Sequence, residues 1–589
     1  MWITRLHQFL TAPTPHKSSP RTLFWLTLSL IFAALYGILA LQQAFSSNYI
    51  VQDDARQHVF WMRRFLDESL FPKDLIADYF QSVAPLGYRA LYQLMATLGI
   101  EPVVFSKILP LFLGLVMTGY CFAVSMELLP VPLTGFISSL LLNQNLWMQD
   151  GLVSGTPKAF IYPILLAFLY YLLRQSLVGV GIAIALLGLF YPSLVLVCAA
   201  LLILQLWQFN RKLPYLTQNR RDYIFCLTSL TVAFLVLLPY TLSISEFSPV
   251  ITAAIAKTLP DFLPQGRTSF FVEDAWEFWF NGRSGIRIDT ALAPPLAYSG
   301  LLLPILLNLP SRFPLTQQIT RGIGVLPKLL LASGILFFAA HALLFKLHLP
   351  SRYTQHSLRI AIALAAGITL TLLIDAISLG AKSTQLRQIL ALGSTALISI
   401  TLLGYPHLAL NTFPWTYYTV GGVPKLYEFF QQQPQHTLIA SLAEEANNLP
   451  TFAQRSILVG REYAVPYHWG YYRQFRQRTL DLINAQYSPN PRVVRDFIEK
   501  YGIDFWLLPA TPFTPDSIAN NNWLMQYQPA ANEAIAQLEA GKIPALKPLV
   551  VPCSVLETQD LVVLKADCIL NSHSALQFVT QKKHTENDR

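Results

Sequence analysis

The chain has 589 residues, of which 53% are hydrophobic and only 13% charged, against the roughly 25% charged residues of a soluble protein. That deficit excludes a large soluble enzyme, whose wetted surface would need more charge. The formal net charge of +9 is spread over short loops, with no basic stripe and no nucleic-acid-binding motif; it bears on membrane orientation and implies no nucleic-acid partner.

Apolar runs long enough to cross a bilayer as helices recur along the chain. In order they cover 22–42, 103–125, 128–145, 158–174, 177–190, 192–208, 222–241, 293–309, 326–346, 357–378 and 388–405, so the predicted fold is an α-helical polytopic membrane protein of about eleven transmembrane helices. The run 177–190 is short and ends at Tyr191-Pro192. A proline there can kink one helix or separate two, which leaves 177–208 crossing once or twice. The first run is too long for the apolar part of a signal peptide and has no clear small-residue cleavage site, so it is expected to stay as a span.

Loop charge predicts orientation. The segment 1–21 carries Arg5, Lys17 and Arg21 with no acid, and the short loops holding Arg211, Lys212, Arg220, Arg221, Arg312, Arg321, Lys328, Lys382 and Arg387 are also basic. Eleven spans with a cytoplasmic N-terminus place all of these inside, and the C-terminus outside. The predicted organisation is a cytoplasmic segment 1–21, a membrane domain 22–420 with outer loops 43–102 and 242–292, an extracytoplasmic α/β domain 421–580 and a disordered tail 581–589. In the first outer loop, helices are expected over 53–70 and 86–98, the second amphipathic. In the C-terminal part, "HTLIASL", "SILVG", "DFWLLP", "PLVVPC" and "DLVVLKA" suggest strands, and "NPRVVRDFIEKYG" an amphipathic helix closed by glycine.

The chain has five cysteines and no CxxC pair, which gives no sign of a structural zinc site. Cys121, Cys198 and Cys226 fall in apolar runs, whereas Cys553 and Cys568 lie close together in the part predicted to be outside, where a disulfide can persist.

Four stretches can carry chemistry. In "VQDDARQHVFWMRRFLD", Asp53 and Asp54 follow the first span on the outer side. A carboxylate there can act as general base, or two can bind a divalent cation; an aspartate at a helix start can equally be a cap. Arg56 and His58 share the same helical turn. In "MQDGLVSGTPKAFIYP", Lys158 stands near a helix N-terminus that favours anions, or it reaches to the membrane interface. In "HLPSRYTQHSLR", Arg352 presents a fork suited to phosphate, with Tyr353 beside it; both can also be interfacial anchors. In "FVEDAWEFWFNGRSGIRID", Glu273, Asp274 and Glu277 share one helical face that could complete a metal site or touch a sugar, and Trp276 and Trp279 can stack on a sugar or rest on headgroups. No nucleotide-binding glycine loop, GxSxG or HExxH occurs.

Paired aspartates after the first span ("DDARQH"), then "SGTPKAFIYP", "LFYPSL" and "LPSRY", with many spans and a C-terminal soluble part, together resemble the GT-C class of integral membrane glycosyltransferases, most nearly its bacterial members. The resemblance implies transfer of a sugar from a polyprenyl-phosphate-linked donor to an extracytoplasmic acceptor that it leaves open. It implies Asp53 or Asp54 as the catalytic carboxylate, with Arg352 and Lys158 on the lipid phosphate. It implies no nucleotide and leaves a divalent cation open. It also implies a multi-pass protein of the bacterial plasma membrane. The competing readings are a transporter or flippase of a polar lipid, and a non-catalytic scaffold.

Overall fold

The computed structural model describes residues 2–14, 19–209, 214–242, 245–380 and 385–572. Lys17, Arg211, Lys212, Lys382 and the tail 581–589 lie outside the described residues. The chain is mostly helical, with a smaller share of sheet. Among the described residues six helices are long and apolar enough to cross a membrane: Pro20–Ala44, Pro102–Leu128, Arg220–Leu242, Arg321–Ala342, Ser351–Gly380 and Gln385–Leu408. Shorter apolar helices occupy Pro157–Leu173, Leu177–Phe190, Pro192–Gln205 and Pro295–Leu307, and the buried helix Pro132–Trp147 fills the centre. The chain is a multi-pass membrane protein.

Helix Ser351–Gly380 is the axis of the bundle. It packs along Pro132–Trp147, and small residues let the two approach closely, as helices in lipid require. A Cβ on Gly367 would lie 2.9 Å from the Ser138 backbone nitrogen, and Thr134 Oγ1 donates to Thr371 Oγ1 at 3.0 Å.

The chain reverses at Tyr191-Pro192. Tyr240 Oη donates to Gly188 O at 2.8 Å at one end of the bundle, while Gln205 Oε1 accepts from Lys328 Nζ at 3.0 Å at the other. The second end also gathers the N-terminal segment. Helix Trp2–Thr11 joins Asp375 through His7 Nε2 at 2.7 Å and Thr11 Oγ1 at 2.9 Å, and the backbone of Thr14 and Thr320 closes on Pro130 and Leu128.

At the first end lies the loop after the first span. The expected helix 53–70 is two pieces, an α-helix Asp53–His58 and a 3₁₀ turn Phe60–Phe65. Phe60, Trp61 and Met62 are all buried, which a one-sided helical face cannot provide. Helix Leu86–Thr97 follows the amphipathic expectation, burying Tyr88, Tyr92 and Ala96 at four-residue spacing and exposing Leu86 and Leu94.

From Pro424 onward the chain carries a five-stranded sheet in the order Ser456–Ile457, Leu438–Ser441, Phe505–Pro509, Leu561–Lys565, Ser554–Glu557. The first three strands are parallel, and the last two pairings are antiparallel. Helix Pro491–Tyr501 is capped by Asn490 and closed by Gly502 at φ 67°. The segment "PLVVPC" is not a strand. Pro548 sits in the first turn of a 3₁₀ element that continues as helix Val550–Cys553, and strand pairing begins only at Ser554. Cys553 and Cys568 form a disulfide with Cα atoms 5.5 Å apart.

This sheet-bearing part is tied to the first loop. Tyr79 stacks on Tyr471 with centroids 3.8 Å apart and its hydroxyl meets His468 Nδ1 at 3.0 Å. The Arg63 guanidinium bonds Thr451 O and Glu101 Oε1.

Candidate active site

Strand Ile50–Gln52 pairs antiparallel with Tyr418–Val420, and the Asp53 N–H donates to Tyr417 O at 3.1 Å. These bonds fix where helix Asp53–His58 begins. The cap of that helix is Gln52, whose Oε1 accepts from the N–H groups of Asp54 at 2.8 Å and Ala55 at 3.2 Å. Both aspartate side chains are therefore free of capping, and successive helical positions send them in different directions.

Asp53 turns toward the C-terminal part. Its Oδ1 accepts from Arg56 Nη2 at 2.7 Å. The buried Arg56 also donates to Asn448 Oδ1 at 2.9 Å and lies 3.5 Å from Glu462 Oε1. Burial and the nearby Glu462 raise the Asp53 carboxyl above its ordinary range, against the pull of Arg56.

Asp54 turns into the end of the bundle and pairs with Lys158. Lys158 Nζ also donates to Asp150 Oδ2 at 2.7 Å, so one ammonium sits between two carboxylates. Lys158 is placed by the turn before Pro157. Gly155 has φ +60°, and a Cβ there would lie 2.6 Å from Ser106 O; its own carbonyl accepts from Tyr92 Oη at 2.8 Å. Burial alone would raise the Asp54 carboxyl. The charge and hydrogen bond of Lys158, with His58 and Arg352, outweigh it and hold the carboxyl below its ordinary range.

Arg352 stands in the first turn of Ser351–Gly380. Its guanidinium makes no hydrogen bond or ion pair among the described residues, and Tyr191, Tyr467, Asp150 and Asp54 surround it. One face of the same helix continues with His356 and Arg359, at i+4 and i+7. Arg359 is buried and donates to Tyr162 Oη at 2.8 Å and Gln149 Oε1 at 2.6 Å, with no carboxylate partner among the described residues. Arg287, at φ 65°, adds a third guanidinium, ion-paired with Asp289 through Nε at 3.8 Å. Burying a cation such as Arg359 without counter-charge is costly, so this end of the bundle favours an anion.

His58 lies one turn beyond Asp54, edge-on to Phe80 at 5.2 Å. Burial, against the pull of Asp54 and reinforced by Lys158, Arg267 and Arg352, lowers its imidazole to about 4. His348 is lowered to about 3, chiefly by burial and by Arg352. Both are neutral at pH 7. Below pH 6.5 the unfolded chain binds protons that these folded imidazoles refuse, so stability falls as pH drops from 6.5 toward 4; the Asp54 contribution is lost only at still lower pH. The purified protein should therefore lose about 2 kcal/mol of stability per histidine between pH 7 and 5, seen as a lower thermal midpoint. Replacing His58 and His348 with Gln should flatten that dependence, and an unchanged slope would contradict these assignments.

Neither a family model nor a curated protein sequence matches the chain. Solved structures do. The oligosaccharyltransferase AglB from Archaeoglobus fulgidus, in complex with an inhibitory peptide and a dolichol-phosphate, aligns at a TM-score of 0.54 and 12% identity, over 87% of this chain and 73% of that one. The apo form of the Archaeoglobus fulgidus oligosaccharyltransferase aligns at 0.51 and 12%, over 86% and 72%. The fold is that of the GT-C glycosyltransferases. Within this GT-C fold, Asp54, His58, Lys158 and Arg352 come together from three segments far apart in sequence.

Other candidates stand elsewhere. Arg56 is a buried link between Asp53 and the C-terminal part. Tyr353 is buried, with its hydroxyl donating to Leu347 O at 2.8 Å, so it braces the turn before the helix and is no interfacial anchor. Glu273 and Asp274 are exposed, and Asp274 Oδ1 accepts from the Glu277 N–H at 2.6 Å, a local cap. Neither has an ion pair or hydrogen bond with the Asp54 cluster. Asp150, Arg287, Arg359 and Tyr162 were not singled out from the sequence. Asp150 lies in the same stretch as Lys158, and Arg359 is a charge inside an apolar run, which is itself a signal.

A divalent cation does not fit these donors. Among the described residues no group of three or more His, Cys, Asp or Glu side chains is placed to hold a metal ion. The two carboxylates that do converge, Asp54 and Asp150, already share the Lys158 ammonium.

Proposed function

We propose that the protein transfers a sugar from a polyprenyl-phosphate-linked donor to an acceptor hydroxyl, with Asp54 as general base. The observation that carries this reading is the convergence of Asp54 and Lys158 with the unpaired guanidinium of Arg352. The dolichol-phosphate bound in the AglB structure supports the donor class.

In this reading the acceptor oxygen attacks the anomeric carbon and its proton passes to Asp54. The bond from that carbon to the phosphate oxygen breaks, and its electron pair leaves on the phosphate. Lys158 and Arg352 balance the charge that grows there. At rest, Lys158 makes Asp54 a weak base. An arriving phosphate draws the ammonium toward itself, while Asp150 keeps hold of it, and Asp54 regains affinity for a proton. No step passes through a metal or a nucleotide.

The test is release of free polyprenyl phosphate by the full chain in lipid nanodiscs, given a labelled polyprenyl-phosphate sugar and an extract of envelope material. Release should occur, should not be replaced by a nucleotide sugar, and should survive EDTA. Turnover with nucleotide sugars alone would sink the reading.

A transporter would carry ionisable relays near the membrane midplane. Asp375 instead is held by His7 and Thr11 at the bundle end opposite the site, which favours the enzyme. The basic turns at that end and the reversal at Tyr191-Pro192 support eleven spans in a bacterial plasma membrane, with the N-terminus cytoplasmic and an α/β domain of about 421–580 outside. A reporter fused after residue 420 should read extracytoplasmic; a cytoplasmic signal would invert the scheme.

A further inference from the structure

Between the last long helix and the sheet-bearing part, residues Pro414–Tyr417 are pinned by their backbone on every side. Pro414 O accepts from Gln43 Nε2 at 3.2 Å, the Trp415 N–H donates to Trp147 O at 2.7 Å, and Tyr417 O accepts from the Asp53 N–H at 3.1 Å. Thr416 points inward, its Oγ1 donating to Gln43 Oε1 at 2.6 Å. The two aromatic side chains on either side of it point the other way. Trp415 is 52% exposed and Tyr417 44%. Their rings lie parallel, 8° apart with centroids at 5.1 Å.

Tyr417 is held at φ 54°, a conformation a bulky residue rarely adopts and one that points to function where it is observed. Its hydroxyl lies within the field of Asp150, Arg287 and Lys158. The two rings are thus offset-stacked on one another, and this stack, held in place by the backbone of the residue next to Asp54, leaves an outer ring face exposed beside the Asp54 cluster. Aromatic faces carry negative quadrupole charge, and the C–H groups on one face of a sugar ring present an apolar, weakly positive surface. A backbone fixed in advance lowers the cost of binding such a ring.

We propose that Trp415 and Tyr417 form a stacking platform that holds a sugar ring beside Asp54. The proposal rests on the transferase reading and deepens it. The ring belongs either to a glycan acceptor or to the donor, and the two sources separate by experiment.

The test is binding by native mass spectrometry to the full detergent-solubilised chain. Three probes are used: a panel of neutral trisaccharides (maltotriose, cellotriose, mannotriose), a polyprenyl-phosphate-linked mannose, and polyprenyl phosphate without sugar. Trp415→Ala should weaken the sugar-bearing probe at least about tenfold, or about 1.4 kcal/mol. Trp415→Phe should largely retain binding, and polyprenyl phosphate should bind all forms alike. A loss on trisaccharides identifies a glycan acceptor; a loss on the linked mannose alone identifies the donor sugar. The Trp415 ring is exposed, so its removal opens no core. Equal sugar binding by Trp415→Ala and the parent, no sugar binding by the parent, or an equal loss for sugar-free polyprenyl phosphate would each overturn the platform, the last in favour of a lipid anchor. Asp54→Asn should bind sugar like the parent. A failure of the transferase chemistry would thus appear in turnover while leaving this binding result to be judged separately.

Discussion

Asp54→Asn should lower sugar transfer about a hundredfold or more, the usual worth of a general base, with insertion retained and stability lowered by about 2 kcal/mol at most, since Lys158 keeps Asp150 as partner. The replacement keeps the size and an acceptor oxygen for Lys158, and removes the negative charge and the proton affinity. Asp53→Asn is the control. Its side chain faces Arg56, which keeps Asn448 and Glu462 as partners, so the helix start is preserved and activity should fall by less than about tenfold. The two aspartates are neighbours of the same type, and the expected difference between them comes only from direction: one points into the cationic end of the bundle, the other away. Equal loss in both variants would mean that the pair acts together. Full activity in Asp54→Asn would remove the general base.

Arg352→Ala should cost about a hundredfold in turnover, as the loss of one donor to a developing oxyanion does. Arg352→Lys should fall between Ala and the parent, because it returns the charge without the two-pronged fork. The loss should appear mainly in kcat, since charge on the phosphate rises as the bond to the sugar breaks. Arg352 has no protein partner among the described residues, so its removal leaves no carboxylate stranded, and stability should hold. If Ala, Lys and Arg performed alike, Arg352 would lie outside the phosphate site.

Much of the scaffold was legible in the sequence, because an apolar run of bilayer length has few other uses. Each predicted run overlaps a helix, and the break at Tyr191-Pro192 falls where the chain reverses. Local errors had local causes. Three consecutive buried residues at Phe60–Met62 broke the expected helix, and prolines turned "PLVVPC" into helical turns. The site was legible as residue types and not as a constellation. An acidic pair after a span, a lysine by a helix start and an arginine at the end of a span are each visible. That Asp54 and not Asp53 faces Lys158 depends on Gln52 taking the cap and on strand Ile50–Gln52 pairing with Tyr418–Val420, far along the chain. The Trp415–Tyr417 surface was invisible for the same reason. Two aromatics near a span end suggest an interfacial belt until the backbone bonds show which way they face.

The proposed reaction requires a lipid-linked phosphate between Lys158 and Arg352, beside Asp54. An experimental structure of the full chain with bound polyprenyl phosphate tests it most directly. Phosphate oxygens should lie within hydrogen-bonding distance of both Lys158 Nζ and the Arg352 guanidinium, with the Lys158–Asp54 contact lengthened and the Lys158–Asp150 contact kept. A phosphate bound elsewhere, with Lys158 still clasped to Asp54 and Arg352 untouched, would contradict it.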